Sequence, residues 1–241
     1  VVIRLEQNYR STKNILEAAS AVVANNKERK GKWLWTDSGD GAKVGLYEAP
    51  DGENEALFIA DTIERILAAR PDERVAVLYR TNSQSRQIEE ALRRYNRKYL
   101  VVGGFSFYQR AEVKDILAYL KVLLSPGDTI NLLRIINTPA RGIGKSTIEQ
   151  IEQYAHVNGL TLSGAITKML EERAFPARAE SALKSFVRII EELRESAATL
   201  SIAQLLQEIL KKTGYEEMLS GDNSTDGESR LANLQELINA A

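Results

Sequence analysis

Arg141-Gly142-Ile143-Gly144-Lys145-Ser146-Thr147 gathers two glycines, two cations and two hydroxyls into one short stretch, a composition suited to holding an anion. It is not an ATP loop. A Walker A loop, G-x-x-x-x-G-K-[ST], opens on a glycine that lets bare backbone amides face the nucleotide phosphates; Pro139 stands at that place. The residues before it carry Ile130, Leu133 and Ile136 at helical spacing, whereas a phosphate loop is entered from a buried strand. Nucleotide binding at this turn is rejected on both counts. Two readings stay open: a tight helix-to-helix turn whose amides face a DNA phosphate, or an ordinary helix that ends on glycine, followed by one capped by Ser146.

A second corner lies near the start. Glu6-Gln7-Asn8-Tyr9-Arg10-Ser11-Thr12 precedes a predicted helix with Ile15, Leu16, Ala19, Val22 and Val23 on its apolar face, and Ser11 or Thr12 can cap it. Tyr9 and Arg10 then project from a constrained corner, where an aromatic ring can stack on a base and a guanidinium can clamp a phosphate. The plainer alternative is a tyrosine packed on a sheet edge beside a solvated arginine. Other candidates are weaker. The basic run Lys27-Glu28-Arg29-Lys30-Gly31-Lys32 reads as a solvated face, and Trp33 and Trp35 as an extended segment packed on the domain. Glu171-Glu172 and Glu216-Glu217 are neighbours only in sequence, so neither pair converges on a proton.

The elements that must carry these residues fall into two styles. Residues 44–47, 75–79 and 99–102 are short apolar runs that read as strands, separated by helical patterns over 53–69 and 85–95. Strand-helix-strand order implies right-handed crossovers and a mainly parallel sheet. After Gly104 the strand signals vanish, and helical periods run over 111–124, 146–157, 177–196, 201–212 and 228–240. Residues 221–227 read as the most loop-like segment. The expected architecture is α/β plus all-α: a partial parallel sheet with flanking helices over 1–107, then a helical domain over 108–241.

Composition narrows the classes. At 241 residues and 44% hydrophobic content the chain can bury a sizeable core. It has no cysteine and one histidine, His156, so no thiolate site, triad or histidine-rich centre is available and no metal site is assigned. The net charge is −1, with a slight basic excess over 1–105 and an acidic one over 161–241, so any nucleic acid must be held by local patches. No apolar run approaches bilayer length and no signal pattern opens the chain, so a cytoplasmic protein without membrane contact is expected. The abrupt start at Val1-Val2-Ile3, and the end at Ala240-Ala241 inside a helical pattern, are expected of a piece of a longer protein.

Four ordered motifs carry a resemblance over essentially the whole chain. They are the Glu6–Thr12 corner, Val77-Leu78-Tyr79-Arg80-Thr81-Asn82-Ser83-Gln84-Ser85-Arg86, the Gly103–Asp115 stretch, and Asn137-Thr138-Pro139-Ala140-Arg141-Gly142-Ile143-Gly144. Together they resemble superfamily 1 DNA helicases of the UvrD/PcrA/Rep type, and Ser229–Leu237 is similar to the family as well. The resemblance implies part of the second RecA-like motor domain followed by the inserted helical accessory domain. By the same resemblance, Tyr9 stacks on adenine and Arg10 reaches the γ-phosphate as the catalytic arginine. Arg80, Asn82 and Ser83 lie along single-stranded DNA, with Arg86 either there or a plain helix-face charge. Arg141, Gly142, Ile143, Gly144, Lys145, Ser146 and Thr147 lie against duplex DNA, which favours the phosphate reading of that turn.

The implied cofactor is ATP with Mg2+ in the intact protein, with neither expected to be held tightly by this chain. The implied partners are single-stranded and duplex DNA and the first motor domain of the same parent chain, and the implied movement is toward the 5′ end of the tracked strand. The family's Walker A loop, its acidic metal-binding motif and its last two motifs are not found here, so ATP hydrolysis by this chain alone is not expected. Two alternatives remain: a non-enzymatic DNA-binding or protein-docking module, and the helicase part of a recombination helicase-nuclease.

Overall fold

A computed structural model describes residues 6–27, 33–102, 104–221 and 224–241. The basic run at 27–32 therefore lies, apart from Lys27, outside the described residues, as do Gly103, Asp222 and Asn223. The chain divides into two compact units, 1–50 and 51–241.

In the first unit, α1 (Lys13–Ala24) follows the Tyr9-Arg10 corner. Thr12 is its N-cap residue but makes no side-chain capping bond. Gly41, at φ +71°, packs so tightly on Thr12 that a Cβ would sit 2.4 Å from its Oγ1, which excludes any larger residue. Of the apolar face read from sequence only Leu16 is buried, while Ile15, Val22 and Val23 are exposed. Trp35 forms an isolated parallel bridge with Gln7 rather than packing its ring into a core.

The second unit is helical: α2 (Gly52–Ala69), α3 (Ser85–Arg94), α4 (Ala111–Leu124), α5 (Thr129–Ile135), α6 (Lys145–Asn158), α7 (Leu162–Glu171), α8 (Ala177–Ala197), α9 (Ile202–Thr213), α10 (Tyr215–Ser220) and α11 (Thr225–Asn239). Local chemistry sets most of the ends. Asp51 caps α2 by accepting the Asn54 amide at 2.8 Å, with Glu53 and Glu55 complementing the helix dipole. Ser201 and Gln204 form a capping box on α9, and left-handed Gly159 and Gly214 close α6 and α9. Helices α4 to α11 share one core centred on Phe107, Tyr119, Ile151, Leu183 and Phe186, while Ala56, Ala60, Ile63, Ala91 and Leu92 make a smaller cluster between α2 and α3.

The expected parallel sheet is overturned. Residues 44–47, 75–79 and 99–102 form no strand, and among the described residues the Gln7–Trp35 bridge is the sole β pairing. The reason is physical: a β-branched apolar run favours extended backbone locally, but a strand exists only when neighbours supply its ladder hydrogen bonds. Without them Leu78 is 95% exposed and Leu100 85% exposed, the opposite of burial on both faces. The α/β part of the expected fold class, a partial RecA-like parallel sheet, is thus corrected to a nearly all-helical chain. The loop read at 221–227 is also shortened, because Ser224 caps α11 by accepting the Gly227 amide.

Candidate nucleic-acid interface

Between α5 and α6 the chain makes the glycine turn. Asn137 organises it: its Oδ1 accepts the Arg141 amide at 2.7 Å and the Ile143 amide at 3.3 Å, pinning the backbone on both sides of Gly142. Gly142 takes φ +78°, a conformation that disfavours any side chain. Ile143 is 1% exposed and plugs the turn into the core, whereas Gly142, Gly144, Lys145 and Ser146 are exposed. The amides of Gly142, Gly144, Lys145 and Ser146 have no partner among the described residues, while those of Thr147 and Ile148 close back on the Gly144 carbonyl at 3.1 and 3.2 Å. Gly144 is the N-cap of α6 and offers no side chain to satisfy the first turn. The result is a short turn with N–H groups unpaired among the described residues at the positive end of a helix, which suits a phosphate oxygen.

The two cations of the turn part ways. Lys145 stands in solvent with Nζ 3.5 Å from Glu149 Oε1, an exposed pair that restrains it little. Arg141 folds inward: Nη1 donates to the carbonyls of Ile135 at 3.0 Å and Pro139 at 3.1 Å, and Nη2 donates to the Tyr119 hydroxyl at 2.6 Å. Its guanidinium carbon lies 5.4 Å from the centroid of the Phe186 ring. The Tyr119 hydroxyl donates onward to the Thr138 carbonyl at 2.6 Å. Burial pushes the Tyr119 phenol up to about 12, although Arg141 beside it acts in the opposite direction.

The Tyr9-Arg10 corner is an Asx turn. Asn8 Oδ1 accepts the amides of Arg10 at 3.0 Å and Ser11 at 2.8 Å. Tyr9 is 83% exposed, tethered only through its hydroxyl to Gln7 Oε1 at 2.6 Å, and no bond among the described residues engages the Arg10 guanidinium. Arg80, Asn82 and Ser83 sit at a one-turn helix, Asn82–Gln84, which Gln84 ties back by accepting the amides of Arg80 and Thr81 at 3.0 and 2.9 Å. Arg80 and Asn82 point into solvent, and Ser83 is half-buried beside Thr81 Oγ1. Arg86 is no free cation: it is buried in ion pairs with Glu90 at 2.8 Å and Glu236 at 2.7 Å.

Sequence reading missed several residues. Tyr119 and Phe186 brace Arg141 from α4 and α8, and Arg178 at the start of α8 lies against Gly142, with Nε and Nη2 3.9 Å from where a Cβ would stand. Nothing local to those residues signals this. Asn137 carried a readable signal, an asparagine ahead of a Thr-Pro-containing turn. Among the described residues no three His, Asp or Glu side chains converge to hold a metal ion. No described helix is long and apolar enough to cross a membrane.

The glycine turn thus faces solvent on a helical core, and the tyrosine-arginine corner is likewise exposed. Residues 3–239 match the UvrD-like helicase C-terminal domain, and the chain belongs to that family. It is 45% identical over 239 residues to the ATP-dependent DNA helicase PcrA of Bacillus subtilis (strain 168), covering 98% of this chain and 32% of that protein. It is 41% identical over 237 residues to the protein of the same name from Staphylococcus epidermidis, and 40% identical to that of Staphylococcus aureus, again covering 98% of this chain and 32% of each relative. The chain thus spans about a third of the length of the curated relatives it matches.

Proposed function

We propose that this chain is part of an ATP-dependent motor that unwinds DNA, and that its helical part from residue 108 onward holds the duplex through the glycine turn. The observation that carries this reading is the set of four amides, at exposed residues Gly142, Gly144, Lys145 and Ser146, without a partner among the described residues, beside a solvent-exposed Lys145 held only by a surface pair with Glu149. Contacts of this kind fix a duplex in position without reading its sequence, as a motor that must run over any sequence requires. Arg80, Asn82 and Ser83 are assigned to the single-strand backbone, and movement is toward the 5′ end of that strand.

The residues at the corner fit ATP: an unstacked Tyr9 ring can cover a base, and an unengaged Arg10 guanidinium can approach a phosphate. ATP, when bound, supplies a γ-phosphoryl group whose transfer develops charge that an arginine can stabilise. No described residue is assigned to Mg2+. The remaining walls of the nucleotide site are assigned to the first motor domain of the same parent chain.

Binding of a fluorescent duplex across a salt series tests the turn. Lys145→Ala should lower the slope of log affinity against log salt by roughly one unit, the loss of one phosphate contact. An unchanged slope would return the turn to an ordinary helix-to-helix connection.

A further inference from the structure

Arg141 is the cation that composition places nearest the glycines, yet its fork is committed inside the protein. An arginine that grips phosphate must aim its donors outward. Here Nη1 is divided between two carbonyls and Nη2 is given to a hydroxyl that is itself fully buried. That hydroxyl is in turn obligated. Tyr119 is 0% exposed, so its polar atom must be paired, and it is paired by accepting from Arg141 and donating to the carbonyls of Ile135, at the end of α5, and Thr138.

The acceptors of Arg141 lie at both ends of the segment that leads into the turn, Ile135 and Pro139. Its other supports, Tyr119 and Phe186, belong to α4 and α8. Removing the guanidinium would take the donor from the Pro139 carbonyl and the buried Tyr119 hydroxyl and one of three donors from the Ile135 carbonyl, and would release the path of the backbone between Asn137 and Ile143.

We propose that Arg141 is a positioning residue for the anion-facing turn, anchored by Tyr119, and that Lys145 and the free amides, not Arg141, touch the phosphate. The proposal rests on the reading of this turn as a duplex contact. It separates two arginine roles that sequence cannot tell apart: a charge that meets the ligand, and a fork that aims the groups that do.

The test uses the chain with Arg141→Lys and Tyr119→Phe, singly and together, in duplex-binding titrations over a salt series. Arg141→Lys keeps the charge but not the fork and should weaken binding by about ten-fold at every salt, as expected for loss of buried hydrogen bonds. Tyr119→Phe keeps the ring in the core and should do the same. Neither should change the salt slope, and the double variant should be no weaker than the weaker single one, because both act through one support. Full binding by Arg141→Lys, or a slope lowered by about one in Arg141→Gln, would overturn the proposal by making Arg141 a phosphate ligand.

Amide hydrogen exchange without DNA gives a second readout. Exchange at the Arg141 and Ile143 amides should quicken about ten-fold in Tyr119→Phe, reporting a loosened turn. Unchanged rates would overturn the positioning role even if Lys145→Ala confirms the duplex contact. Quickened rates in a chain that binds no duplex would support the positioning role while removing the duplex reading. Tyr119→Phe serves both readouts if Arg141→Lys fails to fold.

Discussion

Arg10 leaves the Asn8 turn exposed, and the Tyr9 ring beside it is stacked on none of the described residues. The backbone beneath them is already fixed by two hydrogen bonds to one asparagine, so a ligand that meets them has only the two side chains to order. In the full-length protein Arg10→Ala is therefore expected to cut DNA-stimulated ATP turnover by roughly 1,000-fold, the scale of an arginine that stabilises phosphoryl transfer. Steady-state turnover with and without single-stranded DNA checks it, and turnover within a few-fold of the parent would remove Arg10 from the nucleotide site. The constrained, exposed corner at Tyr9 and Arg10 was legible from neighbouring residues, whereas the roles given to the two side chains came from the family resemblance. Arg141 shows the limit: its type and neighbours suggest a phosphate contact, but its direction is decided by Tyr119, which lies 22 residues earlier, and by Phe186 on α8.

Helices α3, α4 and α11 meet through buried polar groups rather than apolar ones alone. Arg110 donates to Asn233 Oδ1 at 2.8 Å and to Ser85 Oγ at 2.7 Å, Asn233 Nδ2 donates to Glu112 Oε1 at 2.6 Å, and Glu89 accepts the Ser85 hydroxyl at 3.0 Å and the Phe107 amide at 3.0 Å. Such a network fixes one mutual arrangement of helices, and each member is costly to orphan. Asn233→Leu keeps the branched outline of the side chain but strips a partner from both Arg110 and Glu112. It should destabilise the chain by about 3 kcal/mol, given 1–3 for each buried group left unpaired. A urea titration checks it, and a change below about 1 kcal/mol would mean that water takes over the role of Asn233.

The same scale explains what was legible. The predicted helices over 53–69, 85–95, 111–124, 146–157, 177–196 and 201–212 fall within a residue or two of α2, α3, α4, α6, α8 and α9, because a 3.6-residue period and caps are properties of adjacent residues. Helix α7 was passed over although Leu162, Ala165, Ile166 and Met169 follow that period, its shortness and Gly164 weakening the pattern. Helix α10 depends on left-handed Gly214 and on burial of Tyr215 and Leu219. The three expected strands failed for the converse reason: extended backbone is local, but pairing is not, and no residue within 75–79 says where its neighbour is.

At the scale of the whole molecule, exposed apolar side chains bear on how the chain behaves in solution. Leu46, Leu78, Leu100, Val102 and Phe105 stand exposed while the net charge is only −1, so little long-range repulsion keeps two copies apart. Extended, apolar backbone with open N–H and C=O groups is a template for a second chain. Light scattering of the isolated chain should report particles that grow with concentration, and Leu78→Lys combined with Leu100→Lys should hold the size constant over the same range. Growth unaffected by the two lysines would place the adhesive surface elsewhere. Leucines left in solvent in this way would make self-adhesion, rather than unfolding, the property that limits how concentrated the chain can be kept.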